Sequence, residues 1–203
     1  MSSYAKIPNS LEEWAGSRHL SLTLLFTDIV QSTLIGLKLG DRNWIENLFT
    51  HFDHARGLAI TYDSYVVKVI GDSLMIAFRT STQAVDYALD LARFTGVDYI
   101  GIRVGIHTGQ VQIRENDIYG LNVNLASRVQ QGLEYEGILV TKSVKENYER
   151  GLGSALGLNF TQRDIPLKNF DEEIVYLVRQ VDLIRAIRSQ RAARAALLKT
   201  SRG

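Results

Sequence analysis

The chain has 203 residues, of which 45% are hydrophobic and 22% charged, a length and balance that suit one soluble domain with a sizeable core and room for a terminal extension. Its formal net charge of +1 gives no global pull toward nucleic acid or a membrane, and its lack of cysteine excludes a disulfide framework, a thiolate zinc site and a cysteine nucleophile. The four histidines have no HExxH-type spacing, no apolar run approaches bilayer-spanning length, and the N-terminus lacks a signal-peptide layout, so a cytoplasmic protein without a histidine metal site is expected.

Residues 1–19 form an N-terminal extension in which Ser10, with Glu13 three residues on, makes a capping-box pattern that predicts a short helix. Leu22 to Thr33, LTLLFTDIVQST, opens with an apolar run that predicts a strand over 22–28, buried on both faces and ending in Asp28. On its own Asp28 reads equally well as a helix N-cap or a turn former. Apolar residues at helical spacing from Thr33 to Tyr62, interrupted at Gly40-Asp41, predict a short helix, a turn and a long helix. Tyr65–Ile70 and Ser73–Phe78 read as the two strands of a hairpin around Gly71-Asp72. Beyond it come a helix over Thr80–Thr95, a strand over Ile100–Val111, a short excursion and a helix over Asn122–Gln131. A strand over Ile138–Val140, a helix over Lys142–Arg150 and a strand over Ile174–Val178 close the pattern.

That order predicts an α+β sandwich on a mixed, mainly antiparallel sheet, since the hairpin argues against a doubly wound parallel one. From Asp182 onward six basic residues face one acid in an alanine-rich stretch, which predicts a solvated basic C-terminal helix over 181–203.

Asp28 and Asp72 stand where neighbouring strands would put two carboxylates on one sheet edge. Paired carboxylates without histidine or cysteine suit hard, oxygen-seeking Mg²⁺ or Mn²⁺, and two such ions roughly 3.5–4 Å apart promote in-line displacement at phosphorus. Asn124 and Arg128, at i and i+4 of a helix, share a face. An amide and a guanidinium there can position a sugar and neutralise a phosphate.

With these motifs in place the chain resembles the class III nucleotide cyclases. Phe26-Thr27-Asp28-Ile29 and Ile70-Gly71-Asp72 are similar to that family's two metal-binding motifs, and Arg103-Val104-Gly105-Ile106-His107-Thr108-Gly109 to the strand before its dimerisation arm. Asp117-Ile118-Tyr119-Gly120 and Asn124-Leu125-Ala126-Ser127-Arg128 resemble its base-recognition and transition-state segment. The resemblance covers residues 20–180 and implies a ferredoxin-like, palm-type two-layer catalytic domain. It implies that Asp28, Asp72 and the Ile29 carbonyl hold two divalent ions, that Asn124 orients the ribose, and that Arg128 stabilises charge at the α-phosphate. Lys168, in Leu167-Lys168-Asn169, would bind the β- and γ-phosphates, although this segment departs from the family's glycine- and lysine-rich pattern. Lys68 and Asp117 fall on the two base-reading positions. Because one chain carries both residue sets, a homodimer with two composite sites is implied, with a nucleoside triphosphate as substrate and no nucleic-acid partner.

Lys68 donates and Asp117 accepts, a pair that adenine, cytosine and uracil can each satisfy. A pyrimidine needs a larger side chain in the space of the missing ring, for which Tyr65, Tyr119 and Arg114 are candidates. The short segment between Gly109 and Asp117, and a free-standing form without a sensor or membrane domain, resemble bacterial anti-phage pyrimidine cyclases. Cyclic UMP or cyclic CMP, acting on a separate effector, is therefore preferred over cyclic AMP. A cyclase-homology module without activity would have lost a metal aspartate, and a polymerase or GGDEF-like palm enzyme would lack the Asn124–Arg128 segment.

Overall fold

The structure, a computed structural model, describes residues 8–94, 97, 100–151, 157–170 and 172–180. Its elements run α1 (Leu11–Ala15), β1 (His19–Ile29), α2 (Ser32–Leu39), α3 (Asp41–Thr61), β2 (Tyr65–Ile70), β3 (Ser73–Phe78) and α4 (Ser81–Ala92). They continue with β4 (Ile102–Arg114), β5 (Asp117–Tyr119), α5 (Leu121–Gln131), β6 (Gly137–Thr141), α6 (Lys142–Arg150), β7 (Leu158–Arg163) and β8 (Val175–Gln180). The predicted basic tail lies outside the described residues.

Local chemistry sets the boundaries. Ser10 accepts a hydrogen bond from the Glu13 amide and Gly16, in the left-handed region at φ +73°, ends α1. Thr80 and Gln83 close a reciprocal capping box on α4. Gly71, at φ +63°, makes the tight turn between β2 and β3.

The sheet runs β2-β3-β1-β4-β6-β8-β7, with β5 added beside β4. The pair β4–β6 is parallel and the other pairs are antiparallel, giving the expected mixed α+β sheet. Two strands escape the sequence reading. The excursion after β4 is a hairpin, in which Glu115 and Asn116 both take positive φ (52° and 60°), the pattern of a type I′ turn without its usual glycine. The edge strand β7 carries only two apolar residues, Leu158 and Phe160, too few to show a period. β1 also begins at His19, because its polar first residues pair with Gln112–Gln110 of β4.

One face of the sheet is the main core. There Leu25, Ile76, Phe78, Val104 and Ile106 pack against Phe52 and Ala55 of α3, Tyr87 and Ala88 of α4, and Tyr148 of α6, all essentially buried. At about 1.5–3 kcal/mol for each large buried side chain, this layer is the principal source of stability. The opposite face carries α1 and α5, packed on Leu22, Leu24, Phe26, Met75 and Val111 and, farther along, on Leu139 and Val175, where Ile165, Leu167 and Phe170 join them. This second face bears the polar residues singled out above. Among the described residues no helix is long and apolar enough to cross a membrane.

Candidate active site

Asp28 sits one residue from the end of β1, on the α5 face, directly opposite Arg103 of β4. It caps no helix: α2 is preceded by Gln31 at φ +55°, with no side-chain cap. One Asp28 oxygen, Oδ1, accepts a hydrogen bond from the Ser73 hydroxyl at 3.2 Å, and the other, Oδ2, accepts one from the Arg103 guanidinium. The Leu74 amide donates to Thr27 Oγ1 at 3.0 Å, locking the start of β3 against β1. Asp72, half-buried, precedes Ser73 at the hairpin tip, so the β1–β3 pairing brings both aspartates to one end of the sheet. Ile29 is the last residue of β1, its side chain buried. A cavity of about 320 Å³ opens here, lined by Asp28, Ser73, Arg103, Ser127 and Gln130 among others. These oxygen donors fit a hard divalent cation. Among the described residues no group of three or more His, Asp or Glu side chains makes a self-sufficient cage, so an ion would complete its shell with phosphate and water.

Lys68 Nζ donates to Asp117 Oδ2 at 2.6 Å, and Asp117 Oδ1 accepts from the Ile118 amide at 2.8 Å. Strict alternation along β2 would send Lys68 to the main core, because Tyr65 and Val67 pack on the α5 face and Val66 on the other. A bulge between Val66 and Lys68 corrects this, setting Lys68 opposite Met75, which also faces α5. Helix α1 braces both halves of the pair. Trp14 packs on Tyr65, with ring centroids 6.0 Å apart, and its indole donates to the Asp63 carbonyl. At the other end Asn116 Oδ1 accepts from the Leu11 amide at 2.6 Å, tying the β4–β5 turn to the helix N-terminus. Of the three candidates for filling space beside a base, Tyr65 is taken up by Trp14, whereas Arg114 pairs in register with Asp117 and Tyr119 is half exposed.

The motif from Arg103 to Gly109 is a seat for α5. A Cβ at Gly105 would stand 2.1 Å from the Gln130 backbone nitrogen, and one at Gly109 would stand 2.4 Å from the Asn122 side chain. Between the two glycines His107 bonds Asn122 Oδ1 through Nε2 (2.9 Å) and Thr141 Oγ1 through Nδ1 (3.0 Å). Asn122 donates its amide to the Gln110 carbonyl, so its oxygen accepts from His107 Nε2–H and Nδ1 takes the Thr141 proton. Burial lowers the His107 pKa against the opposing Asn122 contact, which keeps the ring neutral. Sequence reasoning found this motif by its likeness to a family and missed its mechanical role.

With α5 seated, Asn124 is exposed and Arg128 half-buried on the side away from the sheet. Arg128 donates to Gln131 Oε1, and Gln131 Nε2 reaches Ser127 Oγ at 3.3 Å. A second cavity, about 420 Å³, is lined by Asn124, Ser127, Arg128, Gln131, Asn169 and Phe170. Lys168 is exposed beside Asn169, whose φ of +69° turns the chain there. The chain thus carries Asp28 in one cavity, with Asp72 at the neighbouring hairpin tip, and Asn124, Arg128 and the Lys168 segment at another, with Ser127 and Gln131 lining both.

Residues 15–180 match the family model described as the adenylate and guanylate cyclase catalytic domain. An uncharacterised protein of Mycobacterium tuberculosis is 34% identical over 112 residues, covering 54% of this chain and 38% of that protein. A receptor-type adenylate cyclase of Trypanosoma congolense is 28% identical over 168 residues, covering 59% of this chain and 22% of that protein. The chain therefore spans well under half the length of these relatives. Among solved structures, the adenylyl cyclase CyaB from P. aeruginosa superposes with a TM-score of 0.71 at 21% identity, over 82% of this chain and 97% of that one. The guanylate cyclase domain of RhGC from Catenaria anguillulae, solved with GTP, gives 0.68 at 21%, over 81% and 99%. At such identities the likeness is one of fold.

Proposed function

Because the chain belongs to the adenylate and guanylate cyclase catalytic-domain family, we propose that it converts a nucleoside triphosphate to a 3′,5′-cyclic nucleotide and pyrophosphate. Asp28, Asp72 and the Ile29 carbonyl would hold two divalent ions, Mg²⁺ or Mn²⁺. When bound, such ions lower the pKa of the ribose 3′-hydroxyl and neutralise charge on the triphosphate. Asn124 orients the ribose so that its 3′-oxygen lies in line with the α-phosphate, and Arg128 stabilises the negative charge that builds there. Lys168 holds the β- and γ-phosphates of the leaving group.

The observation that carries this reading is the separation of the two residue sets. One chain bears Asp28 at one cavity, beside the hairpin that carries Asp72, and Asn124 and Arg128 at another, which supports a homodimer whose two sites each draw on both subunits. Leu121, 75% exposed at the Asn124 cavity, is an apolar residue that such pairing would cover.

For the base we propose a pyrimidine, giving cyclic UMP or cyclic CMP for a separate effector in a bacterial antiviral system. The Lys68–Asp117 pair offers one donor and one acceptor, which a pyrimidine can satisfy, and Arg114 and Tyr119 lie on the same hairpin as Asp117. Adenine is the second reading, favoured by the receptor-type adenylate cyclases among the relatives. Separate incubation with ATP, GTP, CTP and UTP, followed by mass identification of the product, decides between them. A dominant cyclic AMP signal overturns the pyrimidine reading, and no cyclic product from any of the four overturns the enzyme.

A further inference from the structure

The geometry points to Arg103 as a resident counter-ion of Asp28, one that competes with the metal for the same carboxylate oxygen and holds down the affinity of the protein for free divalent ions. The inference rests on Asp28 being a metal ligand.

Arg103 is fixed on the sheet rather than free to swing. Its Cα is the ladder partner of Asp28 Cα, so their side chains emerge side by side on the α5 face. One terminal nitrogen donates to Asp28 Oδ2 and the other to the Leu133 carbonyl at 3.3 Å. Its Nε is buried without a partner among the described residues. The ion pair is largely shielded from water, at 27% exposure for Arg103 and 19% for Asp28. Screening there is weaker than at an open surface, and the pair counts for more than a surface salt bridge.

Ser73 occupies Oδ1 and Arg103 occupies Oδ2, so both Asp28 oxygens already have donors. A cation coordinated through Oδ2 has to displace the guanidinium or share the oxygen with it. The formal charge of Asp28, Asp72 and Arg103 together is −1, against −2 for the aspartates alone. A triphosphate brings its own anionic oxygens, which outweigh one arginine, so Arg103 penalises an ion arriving alone far more than one arriving with nucleotide.

The test is a titration of the full chain with Mn²⁺ alone, free ion being read by electron paramagnetic resonance, with folding checked by circular dichroism. Arg103→Gln is expected to bind Mn²⁺ about tenfold tighter than the unaltered protein. Arg103→Lys, which keeps the charge but loses the two-pronged geometry, falls between them. Arg93→Gln, which removes an equal charge from a surface pair with Asp90, leaves the isotherm unchanged. Mn²⁺ binding no tighter in a folded Arg103→Gln, or an equal gain in Arg93→Gln, overturns the inference. If Arg103→Gln does not fold, Arg103→Lys decides: tighter binding supports the counter-ion, and equal or weaker binding overturns it. Asp28→Ala separates the premise, because an isotherm unmoved by that change removes Asp28 as a ligand whatever Arg103 does.

Discussion

Lys68 and Asp117, 49 residues apart, meet at 2.6 Å because a single extra residue in β2 rotates Lys68 onto the face where the β4–β5 hairpin presents Asp117. The pair is partly exposed, so it adds little to stability, and its proposed part is in recognition of the base. Lys68→Ala and Asp117→Ala should each lower kcat/KM by about 10–100-fold, chiefly through KM, with little change in thermal midpoint. The double variant should cost less than the product of the two, since either change already breaks the pair. Steady-state kinetics on the accepted nucleotide check both statements.

Gly105 is where β4 touches the backbone of α5. Gly105→Ala places a methyl 2.1 Å from Gln130 N, against backbone that cannot rotate away, and should cost about 2–4 kcal/mol. Gly57, in the exposed middle of α3 with nothing within 4 Å of a built Cβ, is the contrast. Gly57→Ala should add about 0.5–1 kcal/mol of stability. Chemical denaturation of the two variants side by side is the measurement.

The sequence makes some of these features legible and hides others, for physical reasons. The β2–β3 hairpin and α6 emerge with the bounds the residues predict, because apolar period and turn chemistry agree there. Strand β5 is hidden because a type I′ turn built on Glu115-Asn116 lacks the usual glycine. The bulge in β2 leaves no mark in composition, so the face that Lys68 takes could not be read from alternation. Tyr65 looked free to contact a base, whereas a tryptophan 51 positions earlier, on a helix that seemed to carry no chemistry, occupies it. The aspartates were readable as a pair from the hairpin between them. Arg103 on one of them depends on β1–β4 register, which no local pattern encodes.

Two buried imidazoles make the fold acid-sensitive. Burial lowers the His51 pKa from 6.5 to about 4, with His54 adding to the shift, and burial also lowers that of His107. At these two histidines the folded chain therefore binds fewer protons than the unfolded one in this range. Stability is full above about pH 6.5 and is lost as the pH falls toward 4, by up to about 3 kcal/mol from His51. His51→Leu, which also removes a buried Nε2 without a partner among the described residues, should flatten that slope. Urea midpoints measured from pH 7 to 4 give the comparison.

Asn116 joins the Asp117 hairpin to α1 through the Leu11 amide, and it adopts a positive φ that asparagine tolerates better than alanine. Asn116→Ala should cost about 1–2 kcal/mol and raise KM more than it lowers kcat, because the carboxylate proposed to read the base loses its brace. An unchanged KM would assign α1 to stability alone.

The proposed site joins Asp28 and Asp72 of one subunit to a phosphate held by Asn124 and Arg128 of another. Its most direct test mixes two inactive chains, Asp72→Ala and Arg128→Ala, in equal amounts with Mn²⁺ and the accepted triphosphate. Random pairing leaves one intact site in each mixed dimer, so cyclic nucleotide should form at about one quarter of the unaltered rate. Two silent variants that stay silent when mixed, though they exchange subunits, would contradict the account.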